Sequence, residues 1–129
     1  MADLPTLPKP YLANSIALPE RFACELHSPA SLARRKFDPG RIVITPAVND
    51  LVERGELDPT AFLSRHLSGD WGDMTTHERR ENNQALARKN HMGNALFSSY
   101  DNRGLAGPRV WIITEADRSV TTLMLITDF

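Results

Sequence analysis

The sequence has little cysteine, no long apolar run and no excess of charge of either sign. Cys24 is the single cysteine among 129 residues, which excludes an internal disulfide and a cysteine-based zinc site, and we expect it to be a small buried side chain. No apolar run approaches the ~20 residues that span a bilayer, and the N-terminus lacks a charged head followed by an apolar stretch. We therefore expect a soluble, cytoplasmic protein without membrane contact.

The charge balance limits the classes of partner. Lys and Arg total 15 against 16 Asp and Glu, a formal net charge of −1, which provides neither a broad cationic field for nucleic acid nor the acidity of a DNA mimic. Arg34, Arg35 and Lys36 form the one run of three adjacent cations. Such a run is more typical of a solvated face than of a phosphate site.

Proline divides the chain into two regions. Six of the nine prolines precede residue 40, a density that prevents a long helix or a central strand there. We interpret residues 1–37 as a proline-rich N-terminal arm and residues 38–129 as a single α+β domain. The arm carries apolar side chains such as Tyr11 and Phe22, so we expect it to pack on the domain or on a partner.

Capping signals predict three helices after a short strand over residues 41–45. Thr45 followed by proline begins a helix through about Arg54, and Asp58 followed by proline begins one that ends near Gly69. Thr75 and Glu78 form a capping box for a third, unusually polar helix that reaches about residue 90.

The C-terminal third changes to strand periodicity. Residues 95–100, 109–115 and 120–127 read as three strands joined by a loose loop and a tight polar turn. The predicted fold is therefore α+β, with a short strand and three helices followed by a three-stranded antiparallel meander. Alternation places Trp111, Ile113 and Glu115 on one face of the middle strand.

The loop Gly69–Asp73 is the first candidate site. Trp71 would anchor it, and Asp70 and Asp73 would cap backbone groups. Alternatively, both aspartates with His66 and His77 could meet a metal, but their spacing matches no zinc or calcium pattern, so we expect no metal and no cofactor. Asn82 and Asn83 lie inside the third predicted helix, where one buried asparagine would tie the helix to the sheet or to the Trp71 loop; otherwise Asn83 would face a ligand. The remaining candidate binding residues are Tyr100 and Asp117.

The last hairpin is the second candidate site. Its tip is either a solvated turn or a rigid platform that presents Glu115 as a base, Arg118 as a cation and Thr121, with Thr122, as hydroxyl donors. This set suits phosphodiester chemistry without a metal, and His66 could supply the missing acid or base.

Four blocks of sequence together resemble a family of small bacterial proteins found on plasmids and other mobile elements: His66–Asp73, Asn83–Leu86, Leu96–Tyr100 and Trp111–Thr122. The resemblance covers roughly residues 41–126. Members are often described as a methylation subunit of a type I restriction system. This chain has neither the glycine-rich cofactor loop nor the Asn-Pro-Pro-Tyr type motif that a methyltransferase needs. The order of helices and then a meander is also similar to small ribonucleases of the barnase and RelE type.

Two functional hypotheses follow. The first is a mobile-element accessory protein that acts by binding a protein, including inhibition of a host defence system of the restriction or CRISPR kind. The alternative is a small metal-independent ribonuclease or toxin-like enzyme with RNA as its partner. Whether His66, Asp70, Glu115 and Arg118 face one cleft discriminates between them.

Overall fold

A computed structural model of the chain describes residues 14–87, 94–101 and 109–128. These ranges hold five α-helices, a five-stranded mixed sheet and a C-terminal 3-10 helix. The helices are α1 (Glu20–Leu26), α2 (Pro29–Arg34), α3 (Pro46–Glu53), α4 (Pro59–Leu67) and α5 (Thr76–Ala87). The strands are β1 (Ile16–Ala17), β2 (Arg41–Ile44), β3 (Leu96–Tyr100), β4 (Val110–Thr114) and β5 (Val120–Leu125), and the 3-10 helix is Ile126–Asp128.

The sheet order is β1-β2-β5-β4-β3, with β2 and β5 parallel and the other pairs antiparallel. The α+β class and the antiparallel β3-β4-β5 meander are confirmed. The prediction of a short strand and three helices before the meander is wrong in two respects. Two further helices, α1 and α2, lie before β2 in the segment interpreted as an arm. The short strand β2 joins the meander through β5, and β1 extends the sheet further. The parallel strands β2 and β5 are not joined by a tight turn, so no local sequence pattern predicts their pairing.

The predicted helix starts are confirmed. The Thr45 hydroxyl accepts from the backbone N–H of Val48, and the Asp58 carboxylate accepts from that of Thr60. Thr75 and Glu78 bond each other's backbone N–H in the expected capping box. The predicted end of the third helix near residue 90 lies outside the described residues.

One face of the sheet packs against the helices. Val110 and Ile112 of β4 and Leu123 of β5 are buried with Val48 of α3 and Leu63 of α4 in the main core. The opposite side of β4 carries a second apolar cluster. Trp111 and Ile113 pack there with Met124 and Phe97, so the predicted alternation along β4 is confirmed.

The segment interpreted as an arm contributes to this core over its described part. Leu18 and Leu26 are buried with residues of α3 and α4, whereas residues 1–13 lie outside the described ranges. The prediction of a buried Cys24 is wrong, since its side chain is exposed on α1, whose packed face carries Phe22, Ala23 and Leu26. None of the helices in the described part is long and apolar enough to cross a membrane.

Candidate functional site

His66 lies at the centre of a buried chain of hydrogen bonds that crosses the sheet. Its side chain comes from α4 and has no solvent-exposed surface. Nδ1 contacts the Ser98 hydroxyl of β3, and Nε2 is 2.9 Å from Oγ1 of Thr114 in β4. Thr114 Oγ1 is in turn 2.7 Å from Oγ1 of Thr121 in β5. We call Ser98, His66, Thr114 and Thr121 the polar relay.

A backbone carbonyl fixes the direction of every bond in the polar relay. Thr121 donates its one hydroxyl hydrogen to the carbonyl of Pro39 over 2.8 Å, so Thr114 must donate to Thr121. Thr114 then accepts from His66 Nε2–H, and Nδ1 of the neutral imidazole accepts from Ser98. The relay therefore holds His66 as the Nε2–H tautomer.

Aromatic rings close the space around the imidazole. The ring centres of Phe37 and Trp71 each lie 5.5 Å from that of His66, with interplanar angles of 84° and 79°. Burial, followed by the positive charge of Arg118, lowers the pKa of His66 from 6.5 to about 3. A general acid or base works best with a pKa near the operating pH. His66 is thus neutral at pH 7 and enclosed on all sides.

The Trp71 loop closes the outer edge of the sheet. The backbone N–H of Ser99 in β3 donates to the carbonyl of Trp71 at 3.2 Å, and the Ser99 carbonyl accepts from the backbone N–H of Asp73 at 2.7 Å. Asn82 of α5 binds both the carbonyl and the N–H of Phe97, at 2.7 and 3.2 Å. The outward groups of β3 at Phe97 and Ser99 are thereby paired, which protects this edge against strand addition.

Trp71 itself is 2 % exposed, and its Nε1 donates to Oδ1 of Asn83 at 2.9 Å. The predicted burial of the indole and the predicted tie to the third helix are confirmed. Asn83 remains on the exposed side of α5, while its neighbour Asn82 is the buried amide that bonds the sheet. The two adjacent asparagines thus serve two different contacts.

The charged residues of the loop form separate pairs. Asp70 accepts from Arg65 at 2.8 and 3.3 Å and from the backbone N–H of Gly72 at 3.1 Å. The hydrogen bond from Arg65 holds the pKa of Asp70 below its usual range. Asp73 instead pairs with Arg109 at 2.9 Å. The carboxylates therefore bind two different arginines.

Tyr100 links the loop to the end of β3. It is fully buried, its hydroxyl donates to the carbonyl of Asp70 at 2.6 Å, and the guanidinium of Arg65 lies 4.5 Å above its ring. Burial raises the pKa of Tyr100. The phenol is therefore neutral at physiological pH and positions the loop backbone.

The hairpin between β4 and β5 forms as predicted, and its polar residues shape the turn. Asp117 accepts from the backbone N–H and the hydroxyl of Ser119. The Arg118 guanidinium donates to backbone carbonyls of the turn and its surroundings, at 3.2 to 3.4 Å: Ala85, Asn94, Glu115 and Ala116. Thr122 is also buried, and its hydroxyl has no partner among the described residues.

The four candidate catalytic residues are only partly brought together. His66 and Thr121 share the polar relay, and the charge of Arg118 is close enough to affect the imidazole. Glu115 is half-buried at the turn, where its carbonyl receives Arg118. His66 and Thr121 have no exposed surface, so a substrate outside the folded chain cannot touch them.

Sequence reasoning missed Ser98 and Thr114, which complete the relay. Both are polar residues at fully buried positions of strands that are otherwise rich in apolar side chains. A buried hydroxyl needs a partner, so a polar residue on the apolar face of a strand was the available signal. Their partner, His66, lies 32 and 48 residues away.

An open groove runs beside α5 on the surface. One cavity of about 220 Å³ is lined by Met74, Glu78, Glu81, Asn82, Asn94, Ala95 and Phe97. A neighbouring cavity of about 190 Å³ shares Glu81 and Asn94 and adds Gln84 and Ala85. We call the two together the α5 groove. Carboxylates and amides form its polar part, and Met74 and Phe97 form its apolar part.

Within the described residues, no group of three or more His, Cys, Asp or Glu side chains could hold a metal ion. Of the four candidate donors, His66 is in the relay, Asp70 and Asp73 pair with arginines, and His77 lies 3.5 Å from Glu81. Comparison of the chain with models of protein families, with curated proteins and with solved structures found no match.

Proposed function

We propose that this chain is a non-catalytic accessory protein that acts by binding a partner protein through the α5 groove. The observation that carries the proposal is a contrast in exposure. The groups best suited to catalysis, His66 and Thr121, are 0 % exposed, whereas α5 presents nine exposed residues beside an open groove.

The chemistry of the groove selects a basic partner segment. Glu78 and Glu81 lie one helical turn apart on the wall, and Phe97 and Met74 provide apolar surface next to them. A lysine or arginine side chain of the partner matches both features, because its methylene stem packs on apolar atoms while its cation meets the carboxylates. The pairing of the β3 edge with the Trp71 loop and Asn82 leaves side-chain recognition as the binding mode.

The resemblance to proteins of mobile elements suggests the kind of partner. A protein of the host or of the element itself, including a nuclease of a defence system, is the partner we propose. Such nucleases carry basic surfaces that bind nucleic acid, and an acidic groove is complementary to such a surface.

Capture from a host lysate, followed by reconstitution of the complex from purified proteins, tests the proposal. We expect one stoichiometric partner whose binding is lost in Glu81→Arg, which reverses the charge of the groove wall. The matched control is Arg80→Glu, an equal reversal at an exposed residue of α5 that does not line the groove.

Equal binding by the two variants would exclude the groove. Cleavage of RNA by the purified protein, abolished by His66→Ala in a variant that still folds, would replace this proposal with the ribonuclease alternative.

A further inference from the structure

The face of the sheet opposite the main core, which we call the rear face, is buried. Met124 and Thr122 of β5 have no exposed surface there, and Val43 of β2, which pairs with Thr122, is 4 % exposed. Among the described residues, the apolar cluster on the rear face consists of strand residues alone: Phe97, Trp111, Ile113 and Met124. A side chain in the middle of a sheet loses its whole surface when another layer lies over it. That layer must come from outside the described ranges.

The stretches outside those ranges differ in apolar content. Residues 88–93, residues 102–108 and position 129 contribute one large apolar side chain each, namely Met92, Leu105 and Phe129. Residues 1–13 contribute five: Met1, Leu4, Leu7, Tyr11 and Leu12. The free energy gained on contact grows with the apolar area that both surfaces remove from water. Residues 1–13 therefore gain most from covering the rear face.

The register of the sheet brings residues 1–13 to the same place. One row of paired residues crosses four strands: Ile16, Ile44, Leu123 and Ile112. Ser15, Met124 and Trp111 each lie one position from this row, all on the same side of it. The chain thus enters the sheet level with the Met124–Trp111 pair. The distance from β1 to β4 is about 14 Å, and thirteen extended residues reach about 40 Å.

We propose that the rear face is the docking surface for residues 4–12 of the same chain, whose leucine and tyrosine side chains pack on Met124 and Trp111. Prolines at positions 5, 8 and 10 fall on both sides of an extended chain, so this segment cannot pair with β1 as a regular strand. Side chains therefore make the contact. The proposal does not depend on the proposed protein binding, because Met124 and Trp111 do not line the α5 groove.

Oxidation of methionine by hydrogen peroxide in the full chain, followed by peptide mass spectrometry, provides the test, since an accessible thioether is oxidised to the sulfoxide. Met124 should react more slowly than Met74, which is half-buried. Leu7→Ser and Tyr11→Ser should each accelerate oxidation of Met124 about tenfold, the change expected when a docking contact loses one large apolar side chain. The rate of Met74 should stay the same, which shows that the fold is retained.

Leu32→Ser is the matched control, because it makes the same change at a leucine that is 46 % exposed on α2. It should leave the oxidation rate of Met124 unaltered. Leu105→Ser examines the stretch 102–108 in the same way and should also leave that rate unaltered.

The proposal is overturned if Met124 stays equally protected in Leu7→Ser and Tyr11→Ser, or if Leu105→Ser exposes it instead. It is also overturned if Met74 is accelerated as much as Met124, since the variants would then open the whole fold. Loss of protection on dilution of the unmodified chain would overturn it too, because a second copy of the chain would then be the cover.

Discussion

Trp71 donates its indole N–H to Oδ1 of Asn83 across 2.9 Å, and this bond joins the loop 69–73 to α5. The same indole stacks on Phe37 and contacts the edge of His66. The loop 69–73 therefore has a structural role. It covers the polar relay on one side and the edge of β3 on the other.

The first prediction concerns this loop. Trp71→Ala should lower the free energy of unfolding by about 3 to 5 kcal/mol, because it removes a large buried ring. Asn83→Ala should cost only about 1 to 3 kcal/mol, since it leaves the indole N–H without its acceptor. Urea denaturation monitored by circular dichroism measures both, with Gln84→Ala as an exposed control. A Trp71→Ala loss no larger than that of the control would contradict the structural role.

The second prediction compares two glycines that share a left-handed backbone. Gly72 has a φ of 75° and Gly55 a φ of 72°. A Cβ at Gly72 would lie 2.2 Å from the carbonyl oxygen of Ser99, while one at Gly55 meets nothing within 4 Å. Gly55→Ala should therefore cost only the conformational strain, about 1 to 2 kcal/mol.

Gly72→Ala carries the same strain and also separates the loop from β3, so its cost should be clearly greater. The difference between the two unfolding free energies isolates the close approach of the loop to the edge strand. Equal costs would show that the loop does not need to touch the strand.

The features of the fold that could be predicted from the sequence have local causes. The caps at Thr45, Asp58 and Thr75 depend on residues two or three positions away, so a local pattern predicts them. The alternation along β4 is equally local. Such features are confirmed because their physical causes lie within one turn of helix or a few residues of strand.

Long-range pairings were not predictable in the same way. Val43 of β2 is paired with Thr122 of β5, and His66 meets Ser98 and Thr114 from 32 and 48 residues away. Nothing in a single segment specifies which distant segment will lie beside it. The sequence could therefore indicate which residue types belong to the candidate site. It could not indicate that these residues are buried, and burial decides what they can do.

The third prediction concerns the segment before β2. Leu26 is 1 % exposed in the main core, whereas Leu32, on the next helix, is 46 % exposed. Leu26→Ala should lower the free energy of unfolding by about 2 to 5 kcal/mol, and Leu32→Ala should change it by less than about 1 kcal/mol. A neutral Leu26→Ala would mean that α1 is not part of the cooperative unit.

The fourth prediction is a loss of stability in mild acid caused by His66. Its pKa is about 3 in the folded chain against an ordinary 6.5, so between these values the unfolded chain binds the proton and the folded chain does not. The free energy of unfolding is therefore unaffected by the protonation of His66 above pH 6.5 and decreases as the pH falls toward 3. At pH 5 the decrease caused by His66 is about 2 kcal/mol. Asp70, whose pKa is held low by Arg65, loses its contribution only at lower pH.

Unfolding free energies measured at pH 7.5 and pH 5 test this dependence. His66→Gln should remove most of the difference. Direct titration of the imidazole by nuclear magnetic resonance is a second measurement, and a His66 signal that titrates near 6.5 in the folded protein would contradict its burial in the relay.

The final prediction concerns Arg118, whose guanidinium joins the last hairpin to the end of α5. Nη1 donates to the carbonyls of Glu115 and Ala116 in the turn, both at 3.2 Å, and Nη2 reaches the carbonyl of Ala85 at 3.4 Å. Partial burial lowers the pKa of Arg118. Arg118→Lys keeps the charge and the left-handed φ of 60° but loses the planar fork that serves several carbonyls at once.

Arg118→Lys should therefore lower the free energy of unfolding by about 1 to 2 kcal/mol, while Arg80→Lys on the exposed side of α5 should leave it unchanged. Because Arg118 donates to the carbonyls of Ala85 and Asn94, which line the α5 groove, the folded variant should also bind the proposed partner more weakly. A variant of unchanged stability that no longer binds the partner would instead place the hairpin in the binding surface, since the guanidinium would then be acting on another molecule and not on the carbonyls of its own chain.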